Sequence, residues 1–325
     1  MKVAKKNGSV PVTWRKRAAL AGYLFILPNV VGFLAFTSLP VLASLLLSFS
    51  KWDLLSPPRW VWFKNYIALF HDTDFWRVPN GFFYNTVFMM MAIPVSIMLS
   101  LFLAVILNQK LPGMILYRTL FFLPSITAGI GTMILWMWLL NPQFGLINLI
   151  LSNIYNAFAW LASAVGWHWA NWDAIRPLWL SDENWSKPAL ILMGLWGSMG
   201  GMNMILYLAA LQGVPQELYE AAKIDGANAW QRFWKITWAM VSPTTFFLFV
   251  MGIIGGFQGG FMAAQVMTGG GPNGSTTTIS YYIYENAYLW FRMGYASSIA
   301  WFLFGVVLIL TLFNWKFSQR LVYYG

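Results

Sequence analysis

Few residues in this 325-residue chain could take part in covalent chemistry. It has no cysteine and two histidines, His71 and His168, which excludes disulfides, thiolate metal sites and a cysteine nucleophile. The two histidines are too few and too scattered for a metal centre or a membrane enzyme. No Gly-Lys pair occurs, so no phosphate-cradling P-loop is present. Gly269, Gly271 and Gly274 satisfy a G-x-G-x-x-G spacing, but they follow an apolar run rather than a strand, and a flexible loop explains them better than a dinucleotide site. What remains is the chemistry of binding. Trp196, Ser198 and Asn203 lie in the run WGSMGGMN, and Phe257 and Gln258 lie in GIIGGFQGG. Aromatic rings can stack on flat ligand faces and amides can bond polar groups. Close glycine-mediated helix packing is the competing explanation of the same runs.

The elements that position these residues follow from composition. The chain is 59% hydrophobic, 18% aromatic and 9% charged, against roughly 25% charged in soluble domains. Six apolar stretches are long enough to cross about 30 Å of hydrocarbon: Leu20–Phe49, Asn85–Leu107, Met114–Leu139, Ala189–Leu211, Val241–Met262 and Ala296–Asn314. Arg118 is their one charged residue and sits near an end, where it can snorkel. The fold class is therefore an all-α integral membrane protein with six transmembrane helices. The stretch 146–165 is interrupted by Asn148, Ser152, Asn153 and Asn156 and reads as an interfacial or loop helix.

The formal charge of +10 is explained by topology. With a cytoplasmic N-terminus, 13 of the 20 basic residues lie inside, including Lys2, Lys5, Lys6, Arg15, Lys16 and Arg17, and 7 lie outside. The positive-inside rule then places both termini in the cytoplasm. The charge is not a nucleic-acid footprint. Residues 1–19 form a basic cytoplasmic segment, 20–314 the membrane domain and 315–325 a cytoplasmic tail. Outer loops span 51–84, 140–188 and 263–295. The second is rich in tryptophan, with Trp167, Trp169, Trp172, Trp179 and Trp185. That pattern fits an aromatic belt first and a docking or sugar-stacking surface second.

Within the membrane runs no acid, base or histidine lies deep, which argues against an ion-coupled transporter or channel, the main alternative reading. The longest inner loop, 212–238, reads QGVPQELYEAAKIDGANAWQRFWKITW. Pro215 suits a first helical position, Glu217 and Glu220 favour the positive end of the helix dipole, and Gly226 after Asp225 supplies a left-handed stop. A second helix follows, with Ala229, Phe233 and Ile236 on one face.

The run Glu220-Ala221-Ala222-x3-Gly226-x9-Ile236 resembles the EAA loop of inner-membrane permease subunits of binding-protein-dependent ABC importers. The longer EAAKIDGANAWQRFWKI is similar to their carbohydrate branch, which serves maltodextrins, other oligosaccharides and glycerol-3-phosphate. Matching segments YRTLFFLPS (117–125), NPQFGLIN (141–148), LAALQGVP (208–215) and TGGGPNGSTTT (268–278) extend the likeness over nearly the whole chain. Trp238 and Ala239 stand where the family has Leu-Pro, leaving Pro243 and predicting a less kinked start to the fifth span.

The resemblance implies a type I importer permease fold in the bacterial inner membrane, a second homologous permease forming a heterodimer, two ATP-binding cassette subunits and an extracytoplasmic solute-binding protein. ATP and Mg would be bound by the ATPase subunits, leaving this chain without cofactor or catalysis. Glu217, Glu220, Ala221, Ala222, Asp225 and Gly226 would couple to the ATPase. Trp196, Ser198, Asn203, Phe257 and Gln258 would line the path of a carbohydrate, with neutral maltodextrins and acidic oligosaccharides such as alginate fragments both open.

Overall fold

The computed structural model describes residues 12–109, 112–127, 129–163 and 171–321. Lys2, Lys5, Lys6, Lys110, Trp167, His168 and Trp169 lie outside the described residues. Six described helices are each long and apolar enough to cross a membrane: Ala19–Ser48, Phe82–Leu107, Leu146–Ser163, Glu183–Gln212, Ala229–Gln258 and Met293–Lys316. The helices Met114–Ile126 and Ile130–Leu139 form a broken pair meeting at 99°. This set differs from the expected one at two places, the broken third span and the Leu146–Ser163 helix.

Hydrogen bonds decide which of these two crosses. Asn80 donates to Glu183 at 2.7 Å and Lys187 to Asn85 at 3.1 Å, so the helices beginning at Phe82 and Glu183 start on the same face. The Phe82–Leu107 helix carries the chain to the opposite face, so an odd number of crossings separates Leu107 from Glu183. That excludes seven spans. Asn148, in the first turn of Leu146–Ser163, accepts from Trp179 Nε1 at 2.8 Å and donates to the Pro177 carbonyl at 3.1 Å. Trp172 also packs on Tyr155, with ring centroids 5.6 Å apart. This helix therefore starts on the face where the next membrane helix begins, and the chain leaves it without a return crossing. The broken pair is therefore the third span, and the described residues cross six times.

Several boundaries move. The second and fourth spans start at Phe82 and Glu183, taking residues from the expected loops 51–84 and 140–188. The fifth-span helix ends at Gln258 rather than Met262. The last helix continues to Leu321, so the segment 315–325 is helical over most of its length. A π-helical turn, Phe233–Thr237, precedes Trp238–Gln258 within one continuous helix, Ala229–Gln258.

The membrane helices hold together through close glycine contacts and three apolar clusters, one of which sets Trp136 and Leu140 of the third span against Ala189 and Leu190 of the fourth. Ile97, Leu101, Ala104, Tyr207, Leu211, Val241 and Leu248 join the second, fourth and fifth spans. Leu69, Phe75, Phe257, Ile279, Ile299 and Leu303 join the last span to the segments that cover it. A β-carbon on Gly252 would stand 2.6 Å from Ile93, and one on Gly256 would stand 2.7 Å from Met90, so both glycines bring helix backbones close. Arg118 donates to the Leu107 carbonyl from Nε at 3.1 Å and Nη2 at 2.7 Å, satisfying an orphan carbonyl at the end of the second span.

The first span behaves differently. Its outer half, Leu39–Ser48, packs against the last helix. Residues 19–31 are exposed on every side, so the other half of this helix has no partner within the described residues of its own chain.

Candidate functional site

The conspicuous feature on the face opposite Glu183 is the loop between the fourth and fifth spans. Pro215, with φ −60° and ψ 131°, caps rather than opens the helix Gln216–Ile224. The helix ends in two bonds that need a left-handed residue at Gly226, whose φ is +77°. Ala227 N donates to the Ala222 carbonyl at 2.8 Å and Gly226 N to the Lys223 carbonyl at 3.1 Å, the paired bonds of a Schellman stop. Asn228 then opens the next helix with a capping box: Gln231 N donates to Asn228 Oδ1 at 2.8 Å, and Asn228 N donates to Gln231 Oε1 at 2.9 Å. The helix–turn–helix expected over 212–238 is present, and its second helix runs without interruption through the π turn into the fifth span.

Glu217, Glu220, Ala221, Asp225 and Gly226 are exposed, while Ala222 is half-buried. Ile224 is 87% exposed and Trp230 70%, beside an exposed Leu218. Among the described residues the one ion pair is Arg176 with Asp173, so the acids of this helix are unpaired. The short helix thus presents an acidic and apolar surface with no partner in the described chain, the form of an amphipathic helix awaiting a groove. Its mechanical tie to the membrane is the hydroxyl contact of Tyr219 with Thr237 at 2.9 Å.

The expected path residues separate. Ser198 and Asn203 come together on a cavity of about 330 Å³ between the second, fourth and fifth spans, beside Ser96, Leu248 and Gly252. Ser96 Oγ donates to Ser198 Oγ at 2.8 Å, and Ser100 Oγ to the Ser198 carbonyl at 3.4 Å. Trp196 lies off this cavity, edge-on to Trp136 with centroids 5.9 Å apart. Phe257 is a correction: it is 3% exposed and packs into the cluster around Phe75 and Ile299, so it lines neither this cavity nor the one of about 250 Å³ beside it. The glycines around it draw the helices together, and the ring turns into the protein. Gln258 is exposed as the last helical residue, and its carbonyl accepts from Ser280 Oγ at 3.0 Å.

The segment 268–278 is expected to be a flexible loop; its first half is largely accessible, with Gly269 and Asn273 exposed, but its second half is buried and tied down. Ser275, Thr276, Thr277 and Thr278 are each buried, Ile279 N donates to Thr86 Oγ1 at 3.0 Å, and Asn85 Nδ2 donates to the carbonyls of Gly274 and Thr277 at 2.8 and 3.0 Å. Beside it is a polar cluster with no signature in the sequence. Lys187 is 6% exposed. Its Nζ donates to the side-chain oxygens of Asn80 and Asn85 and lies 5.2 Å from the Tyr84 ring. Glu183 accepts from Asn80 and Asn273. Apart from a lysine preceding an apolar run, nothing local points to it, because its partners lie about a hundred residues away.

Six crossings, a central helical hairpin exposed on one face and a polar cluster on the other define the membrane subunit of a multi-component transporter. The family of binding-protein-dependent transport system inner membrane components matches residues 67–322, and the chain belongs to it. It is a multi-pass inner-membrane permease subunit, not the ATPase. The chain is 36% identical over 323 residues to the probable ABC transporter permease YesP of Bacillus subtilis (98% of this chain, 96% of that protein). It is 29% identical over 303 residues to the sn-glycerol-3-phosphate permease UgpA of Yersinia enterocolitica (93% and 95%). Its fold is similar to a chain in the crystal structure of a bacterial ABC transporter that imports alginate, with TM-score 0.76 and 24% identity over 95% of this chain and 99% of that one.

Proposed function

We propose that this subunit couples ATP hydrolysis on two separate cassette subunits, which bind ATP and Mg, to the import of a carbohydrate delivered by a solute-binding protein. The observation that carries the reading is the Schellman-stopped helix Gln216–Ile224, with Glu217, Glu220 and Ala221 exposed and Tyr219 bonded to Thr237. A docked helix of this kind passes displacement straight into the fifth span, so closure of the ATPases changes the relative energy of two pore states through one interface. The helix faces the cytoplasm in this reading, in agreement with the excess of basic residues on its side. Asp225 and Gly226 set the turn, and Ala222 leaves room beneath it.

A second permease subunit fits the first span, whose residues 19–31 are exposed among the described residues; we assign the partner as a homologue in a heterodimer. Carbohydrate is favoured by the hydroxyl and amide groups that Ser96, Ser198 and Asn203 bring to the central cavity and by the UgpA and alginate-transporter likenesses. Ser198 and Asn203 are the path residues best supported by geometry. Reconstitution with the cognate partners in proteoliposomes tests the reading: ATP-dependent uptake of a radiolabelled oligosaccharide that requires the solute-binding protein is expected, and uptake driven by an ion gradient without ATP would replace it with a secondary transporter.

A further inference from the structure

A cavity of about 820 Å³ shares no lining residue with the coupling helix or the central cavity. It lies on the face opposite Gln216–Ile224, between the segment that follows the first span and the segment that leads into the last. The two segments are pressed together: a β-carbon on Gly294 would stand 1.8 Å from the Ser50 carbonyl, and Gly294 N donates to the Trp52 carbonyl at 3.4 Å.

Three cations, Lys51, Lys64 and Arg292, and three carboxylates, Asp53, Asp72 and Asp74, line the cleft, so its formal charge cancels. None of the six belongs to the one ion pair found among the described residues. Part of this polarity is structural. Asp72 accepts from Tyr282 at 2.6 Å and Tyr295 at 2.7 Å, and Asp53 Oδ1 accepts from Ser56 N and Oγ at 2.8 and 2.7 Å. The lysine ammoniums and Asp74 remain uncommitted. Trp52 and Phe291 also line the cleft and have no ring contact among the described residues. Phe291 is held at φ +50°, a left-handed conformation rare for a bulky residue and of the kind that persists where structure over-determines it.

We propose that this cleft is a saccharide-binding site on the outer face of the subunit, separate from the membrane path. Net neutrality disfavours a phosphate or nucleotide, and the density of charged walls disfavours a lipid chain. Free donors and acceptors flanking two unpaired rings suit the hydroxyls and the C–H faces of a short oligosaccharide. The cavity falls within the size range of small-molecule sites. The inference rests on the reading of the protein as a saccharide importer.

The test uses the complete transporter in nanodiscs, without solute-binding protein. The probe is whichever of maltopentaose and a uronic-acid pentasaccharide the reconstituted transporter imports, and binding is read by saturation-transfer NMR titration. Trp52→Ala and Phe291→Asn, the latter keeping a residue that tolerates left-handed backbone, should each weaken binding at least tenfold while basal ATPase activity is retained. Equal binding by wild type and both variants, or no binding of the imported sugar, overturns the site. So does a variant that binds the sugar as wild type does but, in a second titration with solute-binding protein added, loses its capture, which would make the cleft a protein-docking surface. Import of neither probe overturns the carbohydrate reading itself, a result separable from failure of the cleft alone.

Discussion

The Tyr219 hydroxyl meets the Thr237 hydroxyl at 2.9 Å, joining the exposed helix of the central loop to the last turn before the fifth-span helix. One residue belongs to the surface proposed to meet the ATPase and the other to the element that must move. The contact is partly buried, so it is not readily replaced by water.

Tyr219→Phe removes that bond without removing the ring. A net hydrogen bond is worth about 1 kcal/mol, so ATP-driven uptake should fall about threefold to tenfold while ATPase activity falls less. Parallel uptake and phosphate-release assays on proteoliposomes check the split.

Gly226 has no atom within 4 Å of a would-be β-carbon and a φ of +77°. Alanine there costs only backbone strain, about 1–2 kcal/mol, whereas asparagine tolerates the conformation better. Gly226→Ala should reduce uptake more than Gly226→Asn, with membrane insertion unchanged on quantitative blotting.

Lys187→Met leaves the oxygens of Asn80 and Asn85 without their buried donor. Each unsatisfied buried group costs about 1–3 kcal/mol, so the thermal midpoint of the purified complex should drop by several degrees. Lys64→Met, at an exposed lysine with no ion pair among the described residues, should leave it unchanged.

The chain contains no cysteine, which makes topology directly measurable. Single cysteines at Asn153, Ser163 and Arg176 should all react with a membrane-impermeant maleimide from the same side, and one at Glu217 from the other. Labelling of the Ser163 position from the side of Glu217 would make Leu146–Ser163 a true span.

Much of this architecture is legible in the sequence, because hydrocarbon demands long uncharged runs and their positions can be read residue by residue. The central loop is legible for a related reason: Gly226, Asn228 and Gln231 make their bonds to residues within five positions. What is not legible depends on distant partners. Lys187 reads as a loop charge until Asn80 and Asn85 are brought to it from over a hundred residues away. The threonines of 276–278 read as flexible until Asn85 bonds the Thr277 carbonyl and Thr86 the Ile279 amide. Phe257, flanked by glycines, reads as a path residue because spacing alone does not tell which face of a helix its neighbours close.

Coupling through the exposed helix is tested most directly by ATP-dependent oligosaccharide uptake with Glu220→Ala, measured beside co-purification of the ATPase subunits. Glu220 is exposed and has no ion pair among the described residues, so its loss should leave the fold intact. The expected result is at least a tenfold loss of uptake with weakened ATPase association and normal membrane levels. Wild-type uptake with undiminished ATPase association would contradict it.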